Sequence, residues 1–164
     1  QQALDWFMRH QRPSGWRQWP EVVWRDERAP KFIGDLPHTW VGSDFVRSVI
    51  DMIAYERESD DALVVGAGVP AKWLSQAPGL SVRGLRTRYG PLDLRMLATN
   101  GTLEARIDGI KPPRGGIVIA APGVTSKWTA TVNGRRSTIS TAGELHLTAV
   151  PATVRLIRPA ASRP

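Results

Sequence analysis

The run Leu92-Asp93-Leu94-Arg95-Met96-Leu97-Ala98-Thr99-Asn100-Gly101-Thr102-Leu103-Glu104-Ala105-Arg106-Ile107-Asp108 alternates apolar and polar residues on both sides of Asn100-Gly101. Apolar side chains recur at every second position, at Leu92, Leu94 and Met96 and again at Leu103, Ala105 and Ile107. That is the period of a strand with one buried face. Both central residues of a type I′ turn need φ > 0, which Asn-Gly tolerates, so the run predicts a tight antiparallel hairpin. Asn133-Gly134 repeats the signal. Working outward, strands are expected over 62–66, 80–88, 92–99, 102–108, 117–121, 128–132, 144–147 and 153–157, with Tyr89-Gly90-Pro91 joining the second to the third. About eight short strands at this spacing point to an antiparallel β-sandwich over residues 61–164.

The first 60 residues read differently. Residues 2–10 have a helical pattern, with Leu4, Phe7 and Met8 apolar. Residues 43–57 give the clearest helix: Ser43 suits an N-cap, Asp44 the first turn, and Phe45, Val46, Val49, Ile50, Ile53 and Ala54 form one apolar face. Between them, Pro13, Pro20, Pro30 and Pro37 leave little regular structure. A loop that long in a compact domain usually has a function.

Composition narrows the classes. The chain has 164 residues, 41% of them hydrophobic, and a formal net charge of +7. It is too apolar for a disordered chain. Its longest apolar runs are far short of the roughly 20 residues that span a membrane as a helix. With no cysteine, disulfide scaffolds, thiol catalysis and cysteine-ligated zinc are excluded. Residues 1–60 carry 8 Lys/Arg and 10 Asp/Glu, and residues 61–164 carry 14 and 5, so the basic character belongs to the second part. Its arginines are scattered and do not interleave with aromatics, so a nucleic-acid partner ranks below a solvated basic surface. The chain opens on Gln1, inside residues that already read as helix. It is expected to be a piece of something longer or a processed product.

Few residues suggest chemistry. His10, His38 and His146 are the only histidines and no two have ligand spacing, so neither a metal nor any other cofactor is expected. No serine sits in a Gly-x-Ser-x-Gly elbow. The informative stretch is Gly15-Trp16-Arg17-Gln18-Trp19-Pro20-Glu21-Val22-Val23-Trp24, a carboxylate in a loop crowded with tryptophan. Five of the seven tryptophans lie in the first 40 residues. Aromatic faces pack on the C–H faces of sugar rings, and a desolvated Glu is suited to proton transfer. The same tryptophans would also serve as an apolar plug between a helical layer and the sheet, the reading that composition alone favours.

Trp19-Pro20-Glu21, then Phe32-Ile33-Gly34-Asp35-Leu36-Pro37, then His38-Thr39-Trp40-Val41-Gly42-Ser43-Asp44-Phe45, resembles the last hairpin of glucoamylase-like six-hairpin glycosidases. In those enzymes a Pro/Ala-Glu dipeptide carries the catalytic base, and a Leu-Thr-Trp-Ser segment opens the final barrel helix. Val22 departs from the pattern, since a glucoamylase has Gln after the Glu. Val132-Asn133-Gly134 and Pro151-Ala152-Thr153-Val154 are similar to the β-domain that closes many bacterial (α/α)-barrel chains. The resemblance implies an α+β, mostly β fold. A helical hairpin remnant of the barrel (1–60) would pack on an antiparallel β-sandwich of about eight strands (61–164).

It also implies Glu21 as candidate general base, with Trp16, Trp19, Trp24, Trp40, Asp35 and His38 as substrate-binding groups. Inverting hydrolysis needs an acid and a base roughly 6.5–9.5 Å apart. Asp35 is the nearest second carboxylate by context, but after Gly34 it reads as an Asx-turn residue. The isolated chain is therefore expected to be inactive. The expected partners are carbohydrate and either the rest of a barrel or a second copy bound through helix 43–57. The implied compartment is periplasmic or extracellular. The rival reading is a non-catalytic carbohydrate-binding or structural module.

Overall fold

A computed structural model describes residues 1–13, 15–23 and 34–160. Trp24, and the Arg25-Asp26-Glu27-Arg28 and Phe32-Ile33 segments, lie outside the described residues. The chain forms helices α1 (Gln2–Arg9) and α2 (Thr39–Ile53), strands β1 (Ala54–Arg57) and β2 (Ala62–Val65), and a short helix α3 (Ala71–Ser75). Strands β3 (Leu80–Thr87), β4 (Gly90–Thr99), β5 (Thr102–Asp108), β6 (Ile117–Ile119), β7 (Thr129–Val132), β8 (Arg135–Ser137), β9 (Leu145–Leu147) and β10 (Ala152–Ile157) follow. The fold is α+β and mostly β. Contacts divide the chain into two units, Gln1–Asp51 and Met52–Pro164.

In the second unit the hairpin around Asn100-Gly101 forms as the alternation predicts. β4 and β5 pair from Asp93↔Asp108 to Thr99↔Thr102, and Asn100 and Gly101 both have positive φ, 49° and 76°. Asn133 (φ 49°) and Gly134 (φ 77°) turn β7 into β8 in the same way. The six-stranded sheet runs β3-β4-β5-β10-β7-β8, and every pair in it is antiparallel. A bulge interrupts β3 between Val82 and Leu85, where the backbone N–H of Gly84 (φ 64°) donates to Asp93 Oδ1 at 2.7 Å. Leu92, Leu94, Met96, Leu103, Ala105, Ile107, Val154 and Leu156 face inward and are buried.

The other sheet, β1-β2-β6-β9, corrects the expectation of a wholly antiparallel sandwich, because β2 and β6 are parallel. Every residue of both strands is buried. Leu63, Val65, Ile117 and Ile119 join the core shared with the larger sheet, while Ala62, Val64 and Val118 cluster on the opposite face with Tyr55 and Ala120. Burial on both faces explains why these segments read as unbroken apolar runs. Leu74 anchors α3 in the core and Trp73 is exposed.

Two further expectations are corrected. The described residues form ten strands rather than about eight, the additions being β1 and β8. The helix expected over 43–57 instead runs Thr39–Ile53. Ser43 is therefore not an N-cap; its Oγ donates within the helix to the carbonyl of Trp40 at 2.8 Å. Ala54–Arg57 leave the helix because their backbone groups find a better ladder, pairing Ala54↔Val65 through Arg57↔Ala62. The switch is sealed where Gly66 N–H donates to Ile53 C=O at 2.8 Å and Gly68 N–H to Met52 C=O at 3.1 Å. A Cβ on Gly68 would collide with Met52, so the closing turn requires glycine there.

Arg57 ties this strand to the far end of the sheet. Its guanidinium donates to Asp60 at 2.8 and 2.9 Å and to Glu144 at 2.7 Å. These hydrogen bonds raise the already high pKa of Arg57 and hold the Asp60 and Glu144 carboxyls below the usual carboxylate range. A carboxyl held low in the folded state stabilises the fold above its unfolded pKa. That stabilisation is lost as pH falls through the lower folded value. Arg57→Met should therefore cost about 1 kcal/mol near neutral pH, through the half-buried Glu144 pair. The gap in melting temperature between native and variant should close on acidification below about pH 4, which thermal unfolding followed by circular dichroism would show.

Candidate functional site

The stretch singled out in the sequence folds as two loop segments held side by side in the first unit. Glu21 N–H donates to Asp35 C=O at 3.0 Å, and His38 N–H donates to Trp19 C=O at 2.8 Å. Asp35 N–H returns a 3.4 Å bond to Glu21 Oε2. Gly34 (φ 63°) makes this approach feasible, because a Cβ there would occupy the place of the Glu21 carboxylate. Pro20, next to Glu21, is buried.

The result is a cluster no pair spacing reveals. Glu21, Asp35 and His38 each place one oxygen or nitrogen within 4.8 Å of the other two. His38 is half-buried, and its Nδ1 has no hydrogen-bond partner among the described residues. Two carboxylates and an imidazole at that separation are a donor set of the kind divalent cations accept. The expectation of no metal rested on pairs of histidines along the chain, and this geometry revises its premise. The signal lay in Gly34, whose missing side chain lets the two loops touch. Glu21 and Asp35 are both exposed, so the described residues supply none of the desolvation expected around Glu21.

The tryptophans differ in burial and contacts. Trp19 is built into an aromatic cluster, its ring centroid 4.8 Å from Phe45 and 6.0 Å from Phe7, and its Nε1–H donates to Phe7 C=O at 2.6 Å. It serves as the plug between α1 and α2. Trp40, in the first turn of α2, is 76% exposed and lies edge-on to His38 at 5.9 Å. Trp16 is 70% exposed. Trp6, not singled out in the sequence, stacks on His10 at 4.3 Å. In the second unit, Arg88 is engaged by Glu56 at 3.4 Å.

The 4.8 Å limit also bears on mechanism. It is shorter than the roughly 6.5–9.5 Å separation that admits a water between an inverting pair. Asp35 thus stands closer to Glu21 than the second carboxylate of an inverting pair would.

No family model matches the chain, and no curated protein matches it. Among solved structures it is similar to a GH127 β-L-arabinofuranosidase from Geobacillus stearothermophilus T6, with 16% identity and a TM-score of 0.43. The match covers 75% of this chain and 19% of that one, so the chain spans about a fifth of the enzyme's length. A likeness at that level does not assign the chain to a family.

The split among the tryptophans can be measured. Trp19→Ala removes a half-buried ring and its hydrogen bond, and should cost roughly 2–3 kcal/mol, with loss of helical circular dichroism. Trp40→Ala should leave stability within about 0.5 kcal/mol of the native chain.

Proposed function

We propose that this chain is the C-terminal segment of a carbohydrate-active enzyme of the glycoside hydrolase class, supplying a candidate general base and an aromatic wall. The observation that carries the reading is the setting of Glu21. Its carboxylate is fixed by Asp35 N–H over Gly34, in one cluster with His38, whose ring neighbours the exposed Trp40. A fixed carboxylate can take a proton from water, and an exposed indole offers a face to the C–H side of a sugar ring. The motif around Glu21, similar to the last hairpin of six-hairpin glycosidases, supports the same role.

In this reading Glu21 is the base, Trp40 and Trp16 contact the saccharide, and Trp19 sets the loop from behind. The acid comes from outside this chain, because Asp35 stands too near Glu21 to act across an intervening water. The alternative, a carbohydrate-binding module with no catalytic role, is favoured by the exposure of Trp16 and Trp40 and of Glu21 itself.

The isolated chain should show no turnover of aryl glycosides or neutral oligosaccharides. Turnover abolished by Glu21→Gln would overturn that expectation. Saccharide binding, measured by calorimetry, should weaken about tenfold in Trp40→Ala, equivalent to roughly 1.4 kcal/mol. Loss of binding in Trp40→Ala with no change in Glu21→Gln would favour the binding module over the catalytic segment.

A further inference from the structure

The outer face of the six-stranded sheet carries an arrangement that a sheet does not adopt for stability. Register places Ser81 opposite Arg95, Arg95 opposite Arg106, and Arg106 opposite Thr153, one row across four strands. Directly opposed like charges are destabilising, and an acid is the usual neighbour. Two positions further along, Glu104 opposite Arg155 shows that usual pairing, at 4.0 Å. Arg95 and Arg106 are exposed, and neither forms an ion pair among the described residues.

The acids beside them are committed elsewhere. Asp93 and Asp108 form the adjacent row, also directly opposed. Asp93 Oδ1 accepts the N–H of Gly84 in the bulge at 2.7 Å, and Asp108 Oδ1 accepts the N–H of Gly109 at 2.8 Å. Each carboxylate is thus held in place by the backbone, with its second oxygen left over. A groove of about 490 Å³ lies over these rows, lined by Arg83, Asp93, Arg95, Arg106 and Asp108. It shares Arg95 and Arg106 with a second hollow of about 230 Å³, which shares Glu104 with a third of about 280 Å³ reaching Asn100 and Arg155. The trough follows β4 and β5 for about 20 Å at a strand's rise per residue.

Guanidiniums without acids, interleaved with fixed carboxylates, select a particular ligand. Planar guanidinium groups take a carboxylate through two parallel hydrogen bonds. The spare oxygens of Asp93, Asp108 and Glu104 accept hydroxyls, and Ser81 and Thr153 can bond them too. Among the described residues no aromatic side chain lines the trough, so the bases of a nucleic acid would find no stacking face.

We propose that the outer face of the six-stranded sheet binds an acidic saccharide, one carrying uronate carboxylates among hydroxyls, with Arg95 and Arg106 together gripping a carboxylate. The choice of a saccharide rests on the carbohydrate reading above; the choice of a carboxylate-bearing one rests on the sheet alone.

The test uses the full chain and its Arg95→Gln, Arg106→Gln and double variants, titrated with oligogalacturonate, neutral oligogalactose, single-stranded DNA and inorganic sulfate. Oligogalacturonate should bind best, weaken about tenfold in each single variant and weaken again between about 50 and 200 mM salt. Without ligand, the double variant should melt no lower than the native chain, since it removes a like-charge contact. That readout separates lost binding from lost folding. Equal oligogalacturonate binding in the double variant would overturn the proposal, as would no oligogalacturonate binding by the native chain. Tighter Arg95-dependent binding of DNA, or sulfate binding as tightly as the oligomer, would overturn it in favour of a nucleic-acid surface or a simple anion site.

Trp40→Ala and Glu21→Gln keep the two readings apart. Arg-dependent oligogalacturonate binding, in a chain whose neutral-sugar binding neither change affects, sustains this proposal while the first-unit reading falls. Trp40-dependent neutral-sugar binding without oligogalacturonate binding does the reverse.

Discussion

The parallel ladder between Leu63–Val65 and Ile117–Ile119 leaves no face of either strand to water, and the second unit is arranged around that fact. Parallel neighbours need a long crossover, because a tight turn can only reverse the chain. Here the crossover contains α3, β3, β4 and β5, so three strands of the larger sheet are laid down before β6 returns to pair with β2. β10 then inserts between β5 and β7, joining the strands laid down before β6 to those laid down after it. The inward rows of both sheets meet in one apolar core. The outer face of the larger sheet is thereby left for polar side chains.

The described residues of the first unit form no comparable interior. Neither α1 nor α2 contains a fully buried residue. A helix as short as the eight residues of α1 is marginal unless something packs on it. What packs within this unit is the Phe7–Trp19–Phe45 cluster, together with the hydrogen bond from Trp19 to Phe7. Among the described residues, the segment that carries Glu21 is held by these aromatic contacts and by the backbone hydrogen bonds Glu21–Asp35 and His38–Trp19.

Some of this was legible in the residues and some was not, for physical reasons. Asn100-Gly101 and Asn133-Gly134 were readable because a type I′ turn is decided by two residues. The inward rows of β4 and β5 were readable because alternation is local. The end of α2 was hidden: the apolar period of Phe45 to Ile53 continues through Ala54, and only the partner strand at Ala62–Val65 pulls Ala54–Arg57 into a ladder. β8 was hidden because Arg135-Arg136-Ser137 has no apolar row of its own. In the candidate site, Trp19, Glu21, Asp35, His38 and Trp40 could be picked out by residue type and motif. Which of them pack together, which stay exposed and which meet in a polar cluster could not, because burial and contact depend on which loop meets which. Gly34 held that information, but a glycine's reason for being there shows only when the opposing side chain is in place. The Arg95–Arg106 juxtaposition was equally invisible, since it arises from register between strands.

The bulge at Val82–Leu85 has a consequence for how copies of this chain treat one another. β3 is an outermost strand of the larger sheet, and a straight edge strand presents unpaired N–H and C=O groups to any passing strand. The bulge bends that edge and turns the Gly84 N–H inward to Asp93, so the row of free donors is broken. At the opposite edge, β8 is only three residues long and opens with Arg135 and Arg136. One margin is kinked and the other is short and cationic, which makes the sandwich a poor template for its own duplication. A protein that must stay dispersed while displaying a broad open sheet face is served by margins of this kind.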